Sequence, residues 1–299
     1  NNGGGGSLST IRSFPASPAL YNGATLGNVM KLRFPRPPEN GSIDTNSLTY
    51  GMYCRRRFVA NVGLTPTRDL YMRYAVYLPS NWDPCEAGKL PSLMCVPDDK
   101  PLAGSQGMSG SNVYNPYSWW AGIMWAGPSA LTGTSPNKTY VGDSNLNHVR
   151  IQCYIYAANC NGKLGPDMAA GAGGYYIKAR AGLNQDETAS NAGGAAVTGS
   201  GSYLYMNRGA WNTIEQHVVM NTSGQLNGKY MLWLNDVLAI NIRNIKWADD
   251  AYNATSDIRN LMLDTFYGGP SGLKATGGTT QEMYLGEYVV SAAKIGPRQ

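Results

Sequence analysis

The segment HVRIQCYIY, residues 148–156, alternates Val149, Ile151, Cys153 and Ile155 with His148, Arg150, Gln152, Tyr154 and Tyr156. A period of two sends successive side chains to opposite faces of a strand. One face of this segment is therefore wholly apolar, and the other carries five groups with acid, base or amide chemistry. Short segments rich in Tyr and Val occur at 52–60 and 69–78, an aromatic one around Trp119, Trp120 and Trp125 at 118–126, and a further candidate near Tyr175. Further candidates follow at 203–206, 212–221, 230–234, 238–245, 261–267 and 284–290. Clusters of Gly, Ser, Asn and Ala separate them, most densely from Asn161 to Ser202. Helical period is nearly absent, so this spacing predicts an all-β meander.

The chain has 299 residues and no internal repeat, which suits one large sandwich. Hydrophobic residues make up 42%, enough for a sizeable core. Charged residues are only 14%, against roughly 25% in an ordinary soluble domain. The net charge of +5 is spread without a long basic run. That pattern suits a polyanionic partner and carries no nucleic-acid footprint. No apolar run approaches the roughly 20 residues of a spanning helix. Residues 1–19 form a separate glycine-rich segment, NNGGGGS followed by LSTIRSF, and residues 20–299 form the domain. A strand donated from that segment to a neighbouring copy would build a homopolymer.

Five cysteines occur, Cys54, Cys85, Cys95, Cys153 and Cys160, with no Cys-x-x-Cys pair and only two histidines. That argues against a zinc site. The pairs flanking 85–95 and 153–160 suggest one or two disulfides and leave one cysteine over. Sequons at Asn40, Asn137, Asn221 and Asn253 are candidate glycosylation sites. With the cysteines they predict a secreted protein, extracellular or associated with a cell wall. Asp98, Asp99 and Asp143 lack the spacing of a calcium loop, so no metal and no cofactor is expected.

Longer stretches carry a family likeness. YAVYLPSNWDPCEAGKLPSL (74–93) resembles the segment of family-14 polysaccharide lyases in which a tyrosine-rich strand leads to Gly-Lys-Leu-Pro. RGAWNTIEQHVVMNTSGQLNGKYMLWLND (208–236) is similar to that family's Gly-x-Trp strand, its Asn-Thr-x-Gly turn and its Asn-Gly hairpin. DTFYGG (264–269) and YLGEYVVSAAKIG resemble its later turn and last strand, and the order holds over about 65–295. The resemblance implies one jelly-roll sandwich of two antiparallel sheets that cleaves alginate- or glucuronan-like polyuronates by β-elimination. It assigns catalytic roles to Lys89 and to the Tyr154/Tyr156 pair. Arg150 and Gln152, on the same strand face, can neutralise the substrate carboxylate, and His148 extends the row. Asn241 and Arg243 share a strand face and are candidates for the same groove.

The chain departs from the family where a Ser-x-Arg pair is expected on the preceding strand. SWWAGIMWAG offers Trp120 and Gly122 there, and Arg150 is the candidate replacement. SLMCVPDDKP also replaces the glycine-rich sequence after the lysine motif. Three functions therefore remain open: a metal-independent polyuronate lyase, a non-catalytic glycoprotein assembling into fibres or a surface layer, and a lectin-like polysaccharide binder. His217 and the tryptophans at 119, 120 and 125 are expected to be structural.

Overall fold

The computed structural model describes residues 20–21, 24–25, 29–34, 51–52, 55–59, 64–82, 84, 87–99, 118–127, 131–132, 139–140, 149–158, 175–178, 187–188, 203–263, 265–267 and 280–297. The first strands are β1 (Leu20–Tyr21), β2 (Ala24–Thr25), β3 (Val29–Phe34), β4 (Gly51–Met52), β5 (Arg55–Arg57), β6 (Asp69–Leu78) and β7 (Ala87–Cys95). Next come β8 (Trp119–Ala126), β9 (Leu131–Thr132), β10 (Thr139–Tyr140), β11 (Val149–Tyr156), β12 (Tyr175–Lys178), β13 (Glu187–Thr188) and β14 (Tyr205–Met206). The last are β15 (Ala210–Val219), β16 (Gly228–Leu234), β17 (Val237–Ile245), β18 (Asn260–Met262), β19 (Thr265–Tyr267) and β20 (Gln281–Ser291).

Two large sheets form a jelly-roll sandwich. One has nine strands, with the path β12-β11-β8-β7-β18-β5 and β4, β14 and β19 beside it. The other has seven, in the order β13-β17-β16-β15-β6-β20-β3. Pairing is antiparallel in both apart from the short parallel contact of β13 with β17. The described residues contain no α-helix, and none of their helices is long and apolar enough to cross a membrane.

Alternation decides which residues enter the core. Leu70, Met72, Tyr74, Val76 and Leu78 of β6 face Ile123, Trp125, Ile151 and Ile155 of the other sheet within one apolar cluster. Trp119 and Trp125 are fully buried there, and their indole N–H groups donate to the carbonyls of Ser256 at 2.8 Å and Pro84 at 2.9 Å. Buried tryptophans need such a partner. The β16–β17 hairpin turns at Asn235 and Asp236, with φ of 49° and 65°, as a tight two-residue turn requires.

One strand of the nine-stranded sheet is absent from the sequence expectation. Pro91 interrupts β7 and argues against a central strand. The register instead shifts between Leu90 and Leu93, and this bulge takes the proline. Gln216 of β15 reaches across the sandwich to the same spot. Its Oε1 accepts from the Leu93 N–H at 2.8 Å, and its Nε2 donates to the Ala121 carbonyl.

Several expectations change. Asn221 has no exposed surface; its Oδ1 accepts from the Ala248 N–H, and its amide donates to the Ala248 and Thr222 carbonyls. Asn253 is 5% exposed, donates to the Asn221 carbonyl and accepts from Arg68. A glycan on either nitrogen would require that buried network to open. Asn40 and Asn137 lie outside the described residues, as does segment 1–19. Cys95 and Cys153 are buried core residues. Cys54, Cys85 and Cys160, and with them both suggested disulfides, fall outside the described residues.

Candidate functional site

Val149, Ile151, Cys153 and Ile155 are completely buried between the sheets. The residues alternating with them belong to the other face of the nine-stranded sheet, and cross-strand register arranges that face in rows. Arg150 lies opposite Ala126 and Tyr205, and Gln152 opposite Met124, which is itself opposite Lys89. Tyr154 is paired with Gly122 on one side and Tyr176 on the other. Tyr156 pairs with Trp120, and Trp120 with Met94. Lys89 on β7 and Arg150, Gln152 and Tyr156 on β11 thus flank β8 on one face, with about 20 Å of β11 between Arg150 and Tyr156.

A compact stack organises the centre of this face. The Trp120 ring lies 5.5 Å from that of Tyr156 at an interplanar angle of 27°. Lys89 Nζ stands 4.9 Å from the centroid of a Trp120 ring, in cation–π range. Trp120 donates from Nε1 to Ser92 Oγ at 2.6 Å, so the ring cannot turn without losing a buried hydrogen bond. Ala87, Met94, Val96, Met124 and Met262 pack with Trp120 and Tyr156 in a second apolar cluster. Lys89 and Arg150 are half-buried, whereas Gln152 and Tyr156 are buried. Solvent therefore reaches the stack from the Lys89–Arg150 end.

Arg150 is fixed by two neighbours. Its Nη2 donates to the Gly127 carbonyl at 2.9 Å, and its guanidinium carbon lies 5.6 Å from the Tyr203 ring centroid. Its Nε is buried without a hydrogen-bond partner. Arg150 supplies positive charge at the Ala126 end of β11, and Gly122 on β8, opposite Tyr154, supplies no side chain.

The remaining candidates lie elsewhere. Asn241 and Arg243 belong to β17 of the seven-stranded sheet, where Ile240 and Ile242 enter the core. Alternation turns Asn241 and Arg243 to the outer side of that sheet, so the sandwich core separates them from Lys89 and Tyr156. His148 lies outside the described residues. His217 sits on the outer face of β15, with Nε2 2.6 Å from Asp69 Oδ1 and its ring stacked 3.7 Å from that of Tyr71. Among the described residues no group of three or more His, Cys, Asp and Glu side chains could hold a metal ion.

Sequence reasoning missed Ser92, Tyr203 and Gln216. Ser92 was hidden by the bulge, which breaks the period of two around Pro91. Tyr203 approaches Arg150 through tertiary packing alone. Gln216 did leave a signal, an amide flanked by Ile214 and Val218 on the inward face of its strand.

Residues 167–286 match the family described as Polysaccharide lyase 14. No curated protein matches the chain in sequence. Among solved structures, the marine PL-14 alginate lyase from Aplysia kurodai superimposes with a TM-score of 0.54 at 13% identity, covering 90% of this chain and 84% of that one. Alginate lyase vAL-1 from Chlorella virus gives a TM-score of 0.54 at 16% identity, over 95% of this chain and 88% of that one. At such identities the likeness is one of fold, and it runs through both sheets. With the family match over 167–286, it makes the chain a polysaccharide lyase 14-like β-jelly-roll protein.

Proposed function

We propose that this protein binds a uronic-acid polysaccharide on the outer face of the nine-stranded sheet and cleaves it by β-elimination. The observation that carries this reading is the stack of Lys89, Trp120 and Tyr156 on a lyase-like fold, with Gln152 in the cross-strand row of Lys89. The C5 proton of a uronate is only weakly acidic while the adjacent carboxylate keeps its charge. Lys89, with Gln152 in its cross-strand row, neutralises that carboxylate, which stabilises the enolate-like transition state, and Arg150 binds a neighbouring uronate further along the strand. The phenol of Tyr156, with the Lys89 cation nearby, serves proton transfer. The proton leaves C5, its electron pair forms the C4–C5 double bond, the C4–O4 bond breaks, and O4 takes a proton. Tyrosine ordinarily titrates near about 10, so a neighbouring cation is what makes such a role feasible.

The test is ultraviolet absorbance of the unsaturated uronate released from glucuronan, alginate and related polymers. Product from the wild type, with turnover about 100-fold lower in Tyr156→Phe or Lys89→Ala, is the expected result. A wild type silent on every polyuronate would overturn cleavage. A second reading, binding without cleavage, is favoured by Gly122, which leaves the position opposite Tyr154 without a side chain. It predicts retention on the same polymers with no product.

A further inference from the structure

The outer face of the seven-stranded sheet carries an unassigned row of side chains. Trp211 on β15, Tyr77 on β6, Tyr284 on β20 and Lys31 on β3 are successive cross-strand partners. With strands about 4.8 Å apart, the row spans about 14 Å. The Trp211 and Tyr77 ring centroids are 5.4 Å apart at 51°, and those of Tyr77 and Tyr284 are 5.9 Å apart at 64°. Lys31 Nζ lies 5.8 Å from the Tyr284 centroid. All four residues are partly exposed, while the alternating Val76, Leu78, Met283 and Leu285 are buried in the core. The row ends in a polar group. Glu282 accepts from the Tyr284 hydroxyl at 2.9 Å and pairs with Lys31 at 2.6 Å, and exposed Arg33 lies opposite Glu282 in register.

We propose that this row is a second carbohydrate-binding surface, separate from the face that carries Lys89 and Tyr156, and that its occupant is a single soluble acidic polysaccharide chain. Three partly exposed rings in line offer apolar faces to the C–H faces of sugar rings. Two cations against one carboxylate at the β3 end, Lys31 and Arg33 against Glu282, favour an anionic polymer. Successive rings are steeply tilted to one another. Such a row fits a twisted free chain and cannot lie flat on a crystalline polymer surface. The identity of the polymer as a polyuronate rests on the function proposed above; the existence of the surface does not.

The test is affinity electrophoresis of the folded full chain through native gels containing glucuronan or alginate, beside a gel with a neutral soluble glucan. Each variant's thermal unfolding is measured alongside. The expected result is retardation of the wild type by the acidic polymers, persisting in Lys89→Ala. In Trp211→Ala/Tyr284→Ala it should weaken at least about tenfold. Product yield from short oligouronates should be unchanged in that double variant. Should it fold poorly, Lys31→Glu/Arg33→Glu tests the same surface without removing a ring and should also lose retardation. Retardation of both variants equal to wild type would overturn the proposal, as would a wild type that no acidic polymer retards. A wild type that is retarded through Trp211 yet releases no unsaturated product would leave this surface standing and remove only the lyase reading.

Discussion

On the outer face of the seven-stranded sheet charges close on one another, whereas on the nine-stranded sheet Arg150 closes on a carbonyl and a ring. In the first, Arg73 lies 3.9 Å from Glu215 and 3.4 Å from Asp236. Glu215 also accepts from the N–H groups of Ile295 and Gly296, both at 3.0 Å. Arg73 and Glu215 are buried, so the set is a buttress that pins the C-terminal segment to the sheet. In the second, Arg150 donates to Gly127 and faces Tyr203. A guanidinium satisfied this way keeps donors for an incoming anion. The same residue type is structural in one sheet and available in the other because of where the carboxylates lie.

The largest effect expected is at Trp120. Replacing it by alanine removes a fully buried ring that supports both Lys89 and Tyr156, and should cost about 3–5 kcal/mol in urea unfolding. Loss of polymer turnover should exceed the fraction unfolded. Next, Glu215→Leu strips a buried arginine of one partner and frees two backbone donors, at about 3 kcal/mol. Limited proteolysis should then cut near residues 292–297, while turnover per folded molecule stays unchanged. Arg150→Met is the variant most able to break the comparison. We expect weaker polyuronate affinity with a stability change under about 1 kcal/mol. Destabilisation as large as that of Glu215→Leu would make both faces buttresses.

A smaller effect appears in alkali. Burial pushes the Cys95 thiol up to about 12, and burial followed by the hydrogen bond to Glu282 pushes Tyr284 up to about 12. Both folded values lie above the unfolded ones of about 8.5 and 10. Their contribution is therefore complete below those values and is lost as pH rises from about 8.5 towards 12. Cys95→Ala should flatten the first part of that decline in a pH series of unfolding midpoints. Smallest of all, Lys31→Ala opens a partly exposed ion pair and should shift stability by less than about 1 kcal/mol.

Much of the sandwich was legible because a half-buried strand writes its inward face into the sequence. Residues 149–155 did so, and β6 and β17 did nearly as well. Strand β7 did not, since Pro91 mimics a break and only the tertiary bulge explains it. The face bearing Lys89, Arg150, Gln152, Tyr154 and Tyr156 was read from alternation and family likeness together. Asn241 and Arg243 were assigned to the wrong sheet because period tells a residue's face but never which sheet a strand joins. Asn221 and Asn253 fit the sequon pattern, yet Arg68 and Ala248 take their polar atoms, a long-range fact no local pattern contains.

The order of the seven-stranded sheet has a consequence for how the protein comes to be folded. Strands β15, β16 and β17 are consecutive in the chain and can meet as soon as they are made. Their neighbour β6 was made long before, and β20, which closes its other edge, comes last. Until the final strand is synthesised, β6 has an open edge beside a large apolar face. Loop closure between such distant segments is slow, and unpaired edges recruit other chains. Premature termination before residue 281 should therefore yield aggregates rather than a smaller soluble sandwich, and slow completion of this sheet should limit the rate of refolding.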